Sequence, residues 1–586
     1  MNIMILIRLI LAYCYAVLPY VCLILAFIAS FRNIRSIFRE LFISTVAGTA
    51  AFCFIATAVT NFSFDFYFKL HLLLIVSGII TMIWRRVKIT NTADSAKIKR
   101  SDILVLVILV LALAVRVIPV IAGGESFGDN DARFHNILAQ KILLEQSIAS
   151  TWAPFAPINV VYPQGTHVLI AFIAKIANCP VHQAFNVLIA LIGALTVGMI
   201  YLLADLVFHS EKCALFSASV YAFLPLWGSL DYYRWGGLPN MTGMLILCLL
   251  VMIILEKAHA QPDKKNTAII AAAFCLAAIM TVHHYTLVAA AVFLGFGFLF
   301  TANRELRLMI LGTVLLGSLV CLPLFLLHYP ISPNVIGAAS VFKFREPVIP
   351  VVLSIHYLSP VFVALFILAM FTAKKISWNS HQLLILAWFA GTLTAFVALE
   401  YFYRAGVLIS TCGQDFFTAL TPSRMLTNLV YPMSILCGFV PISAIWIKNR
   451  RTCVVLFTVL SIMTCSLVWQ DQIRVGVFPD VEEAAVWLNR NTPEDSMVVG
   501  NLPHLEYLSW RETSNPPLPA SETRNHLSVT WKKEITTFDE WLKWHESSGR
   551  AVYFLLSAKE FKPAFLTEVF SNNKVSILTY KKKRKI

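Results

Sequence analysis

The sequence predicts a polytopic α-helical membrane protein with a small C-terminal α/β domain, and three observations support this prediction. The 586 residues are 58% hydrophobic and only 13% charged, whereas soluble domains carry about 25% charged residues. Apolar runs near the ~20 residues that cross a hydrocarbon core recur from the N-terminus to Trp469. After these runs, helix-like and strand-like segments of ordinary polarity alternate to the end of the chain.

The apolar runs indicate about fourteen spans. The first run is too long for a signal peptide and lacks a small-residue cleavage pattern, so we expect it to be retained as a helix. The predicted spans are residues 6–29, 41–60, 65–84, 103–121, 183–208, 213–229, 238–256, 267–283, 285–302, 307–328, 350–373, 382–403, 424–447 and 452–470.

The order of these segments divides the chain into three parts. Residues 1–102 form a predicted N-terminal module of three transmembrane helices, and residues 103–470 form a transmembrane core with a long loop at 122–182. Residues 471–586 form the α/β domain. This domain has neither a Gly-x-x-x-x-Gly-Lys loop nor a dinucleotide fingerprint, which argues against a nucleotide ligand.

Cysteine and charge usage exclude other classes of protein. The 12 cysteines lie mainly in apolar runs, form no Cys-x-x-Cys pair and are absent after Cys465, so neither a disulfide framework nor a thiolate metal site is expected. The net charge is +15, but the basic residues are scattered between spans. We therefore expect no nucleic-acid partner.

The scattered basic residues predict the orientation in the membrane. Five connections rich in Lys and Arg fall on one side, which the positive-inside rule makes cytoplasmic. The C-terminal domain and four connections are then predicted to lie outside. These connections are residues 122–182, 230–237, 329–349 and 404–423. The basic residues in the five connections are Arg32, Arg35, Arg39, Arg85, Arg86, Lys88, Lys97, Lys99, Arg100, Lys257, Lys264, Lys265, Lys374, Lys375, Lys448, Arg450 and Arg451.

The basic tail at residues 581–585 is the exception to this topology. Charges so late in a chain rarely set orientation, and we interpret the tail as a contact with anionic lipid headgroups. The long spans and the cysteine-free outer domain favour a bacterial or archaeal cell membrane, inner or plasma, over the endoplasmic reticulum.

An acidic loop follows the fourth span on the predicted outer side. Residues 123–135 place the carboxylates of Asp129 and Asp131, the guanidinium of Arg133 and the imidazole of His135 where a helix leaves the bilayer. Asp131 precedes a helical pattern with one apolar face, so we expect an amphipathic helix along the interface. Asp131 is then an N-cap as well as a candidate catalytic acid, and the two roles are compatible. The apolar face comprises Phe134, Ile137, Leu138 and Ile142.

A second helix is predicted in the same loop. The sequence Tyr-Pro-Gln-Gly-Thr-His at residues 162–167 leads into an apolar segment that ends near Ala177. This segment is too short to span the membrane comfortably but long enough to re-enter it or to line a cavity. The outer loop therefore forms a predicted lid of two helices.

The run from Asn130 to His135, followed by a Tyr-Pro-x-Gly helix, resembles the first external loop of GT-C superfamily membrane glycosyltransferases. The nearest pattern is the oligosaccharyltransferase catalytic subunit, and residues 485–495 resemble the start of that family's soluble domain. The resemblance implies a GT-C-like fold, with Asp131 as the acid that coordinates a metal or activates the acceptor. Asp129 is the partner acid, and the two would share a divalent cation, Mg or Mn.

One family motif is missing from the sequence. Where the oligosaccharyltransferase has Trp-Trp-Asp, which reads the acceptor sequon, this chain has Gly-Asn-Leu-Pro-His at residues 500–504. The resemblance therefore implies membership of the superfamily, but we do not expect the oligosaccharyltransferase reaction.

Other polar groups on the outer side suit a polyprenyl-linked sugar donor, which requires cations for its phosphate and aromatic rings for its sugar. Arg133 and His135 are candidates in the acidic loop. Asp231, Arg234 and Trp235 form a second candidate group at an outer turn. The alternative for this turn is an aromatic belt with a snorkelling arginine.

Two further candidates lie at predicted helix ends. His283 and His284 end the eighth span and can bind a metal or pair with phosphate, but the sequence favours a structural or interfacial role for them. Adjacent helical residues point about 100° apart, so at most one of the two is expected in a given site. Arg424 begins the thirteenth span. It resembles the GT-C arginine associated with donor phosphate, and interfacial anchoring is the alternative.

The function that these features predict is transfer of a sugar, hexosyl or pentosyl, from a polyprenyl-phosphate carrier to a glycan, lipid or protein acceptor outside the cytoplasm. Membrane lipid is the surrounding partner. The alternative is a transporter or flippase, which needs ionisable residues at mid-membrane. Glu400 and Arg404 partly meet that requirement, and a non-catalytic lipid-binding scaffold also stays open.

Overall fold

The structure is a computed structural model of the chain. It describes residues 3–29, 37–84, 100–122, 130–152, 160, 162–232, 236–257, 262–328, 358–404, 422–473, 479–493, 496–499, 512–514, 551–557, 566–572 and 575–580.

Helices dominate because a backbone crossing hydrocarbon must satisfy its hydrogen bonds internally. Each of the fourteen predicted spans overlaps a described helix, although only residues 358–373 of the span predicted at 350–373 are described. In chain order the helices are α1 (Ile3–Ala29), α2 (Ile37–Thr60), α3 (Phe64–Trp84), α4 (Arg100–Ala122), α5 (Asn130–Glu145), α6 (Gly165–Ala177), α7 (Val181–Phe208), α8 (Glu211–Phe223), α9 (Leu238–Lys257), α10 (Pro262–Val282), α11 (His284–Phe300), α12 (Arg304–His328), α13 (Pro360–Ala373), α14 (Ser380–Arg404), α15 (Pro422–Leu436), α16 (Ala444–Lys448), α17 (Arg450–Ile473) and α18 (Pro479–Asn491).

Within the described residues, ten helices are long and apolar enough to cross a membrane. Four shorter apolar helical segments, in α6, α10, α11 and α13, accompany them. The predicted polytopic membrane class is therefore confirmed.

Two predicted spans are interrupted. The span expected at 213–229 consists of α8 and a separate π-helical turn, Leu226–Leu230, with Pro225 between them. The span expected at 424–447 consists of α15, a 3₁₀ segment at Cys437–Ile442 that contains Pro441, and the short α16. Proline lacks an N–H and its ring clashes with the preceding turn, so a helix of either kind stops or changes type there.

The N-terminal helices share one hydrophobic core with the rest of the bundle. Their main partner in the outer loop is α6, whose Phe172 is fully buried, with ring centroids 4.7 Å from His71 and 5.1 Å from Phe52. The backbone N–H of Phe64 donates to the carbonyl of Gln146, just after α5, at 2.7 Å. Both helices of the predicted lid are thus anchored to α1–α3.

The C-terminal residues form a five-stranded mixed sheet, which confirms the predicted small α/β unit. The strands are β1 (Met497–Val499), β2 (Glu512–Ser514), β3 (Val552–Ser557), β4 (Leu566–Ser571) and β5 (Val575–Tyr580), in the order β2-β1-β3-β5-β4. The pairs of β1 with β2 and with β3 are parallel, and those of β5 with β3 and with β4 are antiparallel. Leu488 of α18 packs with Val498 and Ile577 over the sheet.

Candidate functional site

Helix α5 begins at Asn130, so Asp131 lies in its first turn. The helix is largely enclosed by protein. Ile137 on its apolar side is fully buried. Arg133 and Asn136 on its polar side are almost fully buried as well. The amphipathic pattern therefore predicted the helix correctly, and its polar face is also buried against other segments.

The structure describes the side chains of five predicted site residues: Arg133, His135, Asp231, His283 and His284. The other predictions lie outside the described part in whole or in their side chains. Asp129, Arg234 and Trp235 are wholly outside it, and for Asp131 and Arg424 only the helical backbone is described.

A buried histidine pair joins the two helices of the lid. Nδ1 of His135 in α5 lies 2.9 Å from Nε2 of His167 in α6. His167 is fully buried and His135 nearly so. One nitrogen must donate and the other accept, so the contact holds a single shared proton.

The ring of Tyr162 extends this pair into a larger cluster. Its centroid lies 5.5 Å from that of His135 and 5.6 Å from that of His167. It also lies 5.3 Å from His284 and 6.2 Å from His283. The sequence analysis named Tyr162 and His167 only as part of a motif. Their contacts with His135, His283 and His284 place them among the candidate site residues.

The two adjacent histidines do not diverge as expected, because the helix breaks between them. α10 ends at Val282, and His283 has an extended backbone that caps α11. Its Nδ1 accepts a hydrogen bond from the backbone N–H of Thr286 at 3.3 Å. The rings of His283 and His284 are stacked with centroids 5.0 Å apart. The expected 100° separation is therefore wrong, and both rings lie beside Tyr162.

The turn that contains Asp231 meets the start of α5. Asp231 is buried directly after the π-helical turn. A few residues on, Gly236 has φ +79°, and a Cβ built on it would lie 2.3 Å from the backbone nitrogen of Ala132. The structure thus brings together two outer segments that the sequence treated as separate candidates.

A hydrogen-bond network ties the same turn to α9 and α15. The Tyr232 hydroxyl donates to Oδ1 of Asn240 at 3.0 Å and lies 3.1 Å from the Tyr431 hydroxyl. All three side chains are buried. Arg424 lies in the first turn of α15, about two helical turns before Tyr431. The helix that carries Arg424 is therefore fixed to the Asp231 turn.

Arg116, which the sequence analysis passed over, supports this arrangement from inside the bundle. Its Nη1 donates to the Ala222 carbonyl at 3.3 Å and its Nη2 to Oγ of Ser229 at 2.7 Å. A buried arginine at the C-terminal carbonyls of α8 is favourable for the helix dipole. Gly193 leaves room for it, because a Cβ there would lie 2.6 Å from Nε. Arg116 holds the break between α8 and the π-helical turn.

A metal site formed by Asp129 and Asp131 stays a prediction. Among the residues that the structure describes, no group of three or more His, Cys, Asp or Glu side chains is placed to hold a metal ion. The two predicted ligands are not among those side chains.

No family model matches the sequence, and no curated protein does. The fold, however, is that of the GT-C membrane glycosyltransferases, which confirms the resemblance seen in the sequence. The apo oligosaccharyltransferase of Archaeoglobus fulgidus superposes with a TM-score of 0.54 at 13% identity, over 77% of this chain and 69% of that one.

ArnT from Cupriavidus metallidurans is similar over nearly its whole length. Its apo structure superposes with a TM-score of 0.54 at 14% identity, over 81% of this chain and 97% of ArnT. The structure bound to undecaprenyl phosphate gives a TM-score of 0.53 at 14% identity, over 82% and 98%. At these identities the likeness establishes the fold alone.

Proposed function

We propose that the protein is a glycosyltransferase that moves a sugar from a polyprenyl-phosphate carrier to an acceptor on the extracytoplasmic side. The observation that carries the proposal is the meeting of three candidate segments within a GT-C fold. The first turn of α5, which contains Asp131, contacts the turn after Asp231 through Gly236. The same turn is bonded through Tyr232 to α15, which carries Arg424.

The proposed chemistry is displacement at the anomeric carbon of the donor sugar. The bond from that carbon to the phosphate oxygen breaks, and a bond to the acceptor oxygen or nitrogen forms. Asp131 takes the acceptor proton as general base, and the phosphate leaves with the electron pair of the broken bond. Asp129 assists Asp131, and a shared Mg or Mn ion would supply charge stabilisation on the phosphate.

The donor contacts follow from the same placement. We propose that Arg234 and Arg424 bind the donor phosphate and that Trp235 stacks on the sugar. Arg133 and His135 are buried within α5. Their proposed contact with the donor therefore requires the phosphate to enter between the lid helices and the bundle.

Solved relatives support the choice of donor. ArnT, whose fold this chain shares, was solved with undecaprenyl phosphate bound. The acceptor can be a glycan, a lipid or a protein, and the absence of the Trp-Trp-Asp motif argues against the sequon of the oligosaccharyltransferase. We propose the cell membrane as the location, with the site and the sheet domain outside, from the charge of the connections.

The test is the substitution Asp131→Asn in the full chain. Membranes carrying the variant are incubated with labelled polyprenyl-phosphate sugar, and loss of label from the lipid is followed. A general base contributes about 10²- to 10⁴-fold, so we expect the rate to fall by that factor. Transport of the lipid without transfer, the alternative function, would leave the sugar on its carrier in the wild type.

Asp65→Asn is the matched control. Asp65 is in the first turn of α3 on the same predicted side, and its half-exposed carboxylate lies 2.7 Å from Lys69 and 3.5 Å from Lys175 of α6. Exposed ion pairs of this kind contribute little to stability, so this variant should transfer normally. Normal transfer by a well-folded Asp131→Asn protein would refute Asp131 as the base.

A further inference from the structure

The sequence motifs that resemble GT-C enzymes all lie after α4, so they assign no role to the N-terminal module, α1–α3. These three helices nevertheless contact α6, the second helix of the predicted lid. Every residue of α6 from Gly165 to Ala174 is buried. A helix that is enclosed on nearly all sides takes its position from its neighbours. The N-terminal module therefore helps to determine where α6 lies.

Phe172, in the middle of α6, inserts among aromatic rings from all three N-terminal helices. Its ring is fully buried, with its centroid 4.7 Å from that of His71 and 5.1 Å from that of Phe52. Three further rings have centroids 5.3 to 6.4 Å away. Aromatic rings at these distances pack favourably, and a buried ring is costly to remove. We call this arrangement the aromatic cage and define it by Tyr15, Phe52, Tyr67, Phe68 and His71.

Polar contacts between α1 and α3 hold the aromatic cage in shape. The hydroxyl groups of Tyr20 and Tyr67 lie 3.0 Å apart. Nε2 of His71 lies 3.1 Å from the backbone carbonyl oxygen of Tyr15. The side chains of Tyr20, Tyr67 and His71 are buried, so water does not replace these hydrogen bonds. The cage is therefore a well-defined receptor for the ring of Phe172.

The N-terminal module also contacts both ends of α6. At the start of α6, a Cβ on Gly165 would lie 3.1 Å from Oγ1 of Thr57, so glycine allows α2 to approach closely. Near the end of α6, Nζ of Lys175 lies 4.4 Å from the centroid of the Phe68 ring. The half-exposed carboxylate of Asp65, 3.5 Å from Lys175, contributes little by comparison. The buried contacts of Phe172 and Gly165 therefore carry the attachment.

Helix geometry places these contacts on one side of α6 and His167 on the other. Gly165 and Phe172 are seven residues apart in α6, so they lie within about 20° of each other around the helix axis. His167 is five residues before Phe172 and therefore lies about 140° away from it. α6 thus separates the N-terminal module from the residues that His167 contacts.

The His167 side of α6 is joined to α5. Nε2 of His167 lies 2.9 Å from Nδ1 of His135, which follows Asp131 by about one helical turn. A second link lies just before α6, where Gln164 and the backbone of Ala149 exchange two hydrogen bonds of 2.7 and 3.0 Å. A series of buried contacts therefore runs from the aromatic cage through α6 to the helix that carries Asp131.

We propose that the N-terminal module positions Asp131, because α1–α3 fix α6 through Phe172 and α6 fixes α5 through His167. Phe172 is then a positioning residue for the reaction. This inference rests on the proposed transferase function for the role of Asp131. It makes α6 a fixed support, whereas in the rival arrangement α6 swings open in each reaction cycle and its release leaves transfer unchanged or faster.

The test is Phe172→Ala in the purified full chain, with two measurements. Hydrogen exchange followed by mass spectrometry reports how often the backbone of α5 opens. Because the variant empties the aromatic cage, we expect exchange in α5 to be about 10-fold faster and exchange in α14 to be unchanged. Transfer from labelled polyprenyl-phosphate sugar, per folded protein, should fall about 10-fold or more, since a small displacement of a catalytic group is costly.

Phe293→Ala is the matched control. Phe293 in α11 is also fully buried, and its ring centroid lies 5.7 Å from that of Trp388 in α14. This variant should speed exchange in α14 and not in α5, and its transfer per folded protein should equal that of the wild type. Thermal unfolding checks that each protein is folded. Phe172→Leu, which fills part of the cage, carries the test if Phe172→Ala does not fold.

Faster exchange in α5 but not in α14, together with slower transfer, supports the inference. Wild-type exchange in α5 of the folded Phe172→Ala protein overturns it, and so does equal acceleration in α5 and α14, which shows general destabilisation. Faster exchange in α5 with normal transfer also overturns it and leaves the swinging helix. The exchange measurement needs no sugar transfer, so its result is separate from that of the Asp131→Asn test.

Discussion

At the residue scale, the His135–His167 contact shows how a buried polar pair connects the two lid helices. The two rings lie in separate helices, and the hydrogen bond between them is 2.9 Å long. Burial removes water as a substitute partner, so loss of one ring leaves a nitrogen of the other without this bond. The pair therefore contributes both to stability and to the relative position of α5 and α6.

Substitution of His167 tests this contribution. Because Nε2 makes the bond, glutamine can place an amide near the same position, whereas phenylalanine cannot. We expect His167→Phe to lower the free energy of unfolding by about 1–3 kcal/mol and His167→Gln by clearly less. Unfolding of the detergent-purified proteins measures both, and equal losses would show that the hydrogen bond is not what stabilises the pair.

At the element scale, the decisive contact is between the Gly236 turn and the first turn of α5. Gly236 has φ +79°, in the left-handed region that favours glycine, and no side chain fits against Ala132. Together with Tyr232, this turn links α5, α9 and α15. A shift of the turn therefore moves it relative to both α5, which carries Asp131, and α15, which carries Arg424.

Gly236→Ala tests the contact between these elements. The new methyl group would lie 2.3 Å from the Ala132 nitrogen, so the turn and α5 must separate. The left-handed backbone alone costs an alanine about 1–2 kcal/mol. We expect a large loss of sugar transfer together with a lower unfolding temperature.

Gly295→Ala is the control for this substitution. Gly295 lies within α11, and a Cβ there meets nothing within 4 Å. Alanine is favoured over glycine in helix interiors by about 1 kcal/mol, so this variant should be as stable as the wild type or more so, and fully active. An active, stable Gly236→Ala protein would show that the turn does not position α5.

At the scale of the whole molecule, the distribution of charge sets the expected orientation. From the alternation of basic connections with spans, we expect the outer loop and the sheet domain to lie on the non-cytoplasmic side.

Cysteine labelling in intact cells tests the orientation. Val569 in β4 is 39% exposed, and Lys375 lies in the exposed connection between α13 and α14. An impermeant maleimide should label Val569→Cys in intact cells and Lys375→Cys only after permeabilisation. The wild-type chain, which has 12 cysteines, provides the background, and the reverse pattern would invert the topology.

The sequence by itself determined the membrane class, the position of the spans and the order of the segments. These follow from hydrophobicity, which acts locally because hydrocarbon excludes unpaired backbone and charge wherever a segment lies, whereas the interruptions at Pro225 and Pro441 were not predicted. The short Asp-Ala-Arg-Phe-His run and the Tyr-Pro-Gln-Gly helix were sufficient to indicate the GT-C fold that the solved structures confirm.

Only the tertiary structure decided which helix ends meet. Nothing local in the sequence pairs His135 with His167, which is 32 residues away, or places Gly236 against Ala132. The sequence analysis likewise did not predict the end of the helix at His283. The side chain of His283 accepts a hydrogen bond from the backbone N–H of Thr286 and so caps the next helix. Such contacts depend on how several helices pack together, so the spans are encoded by composition whereas the candidate site arises from their assembly.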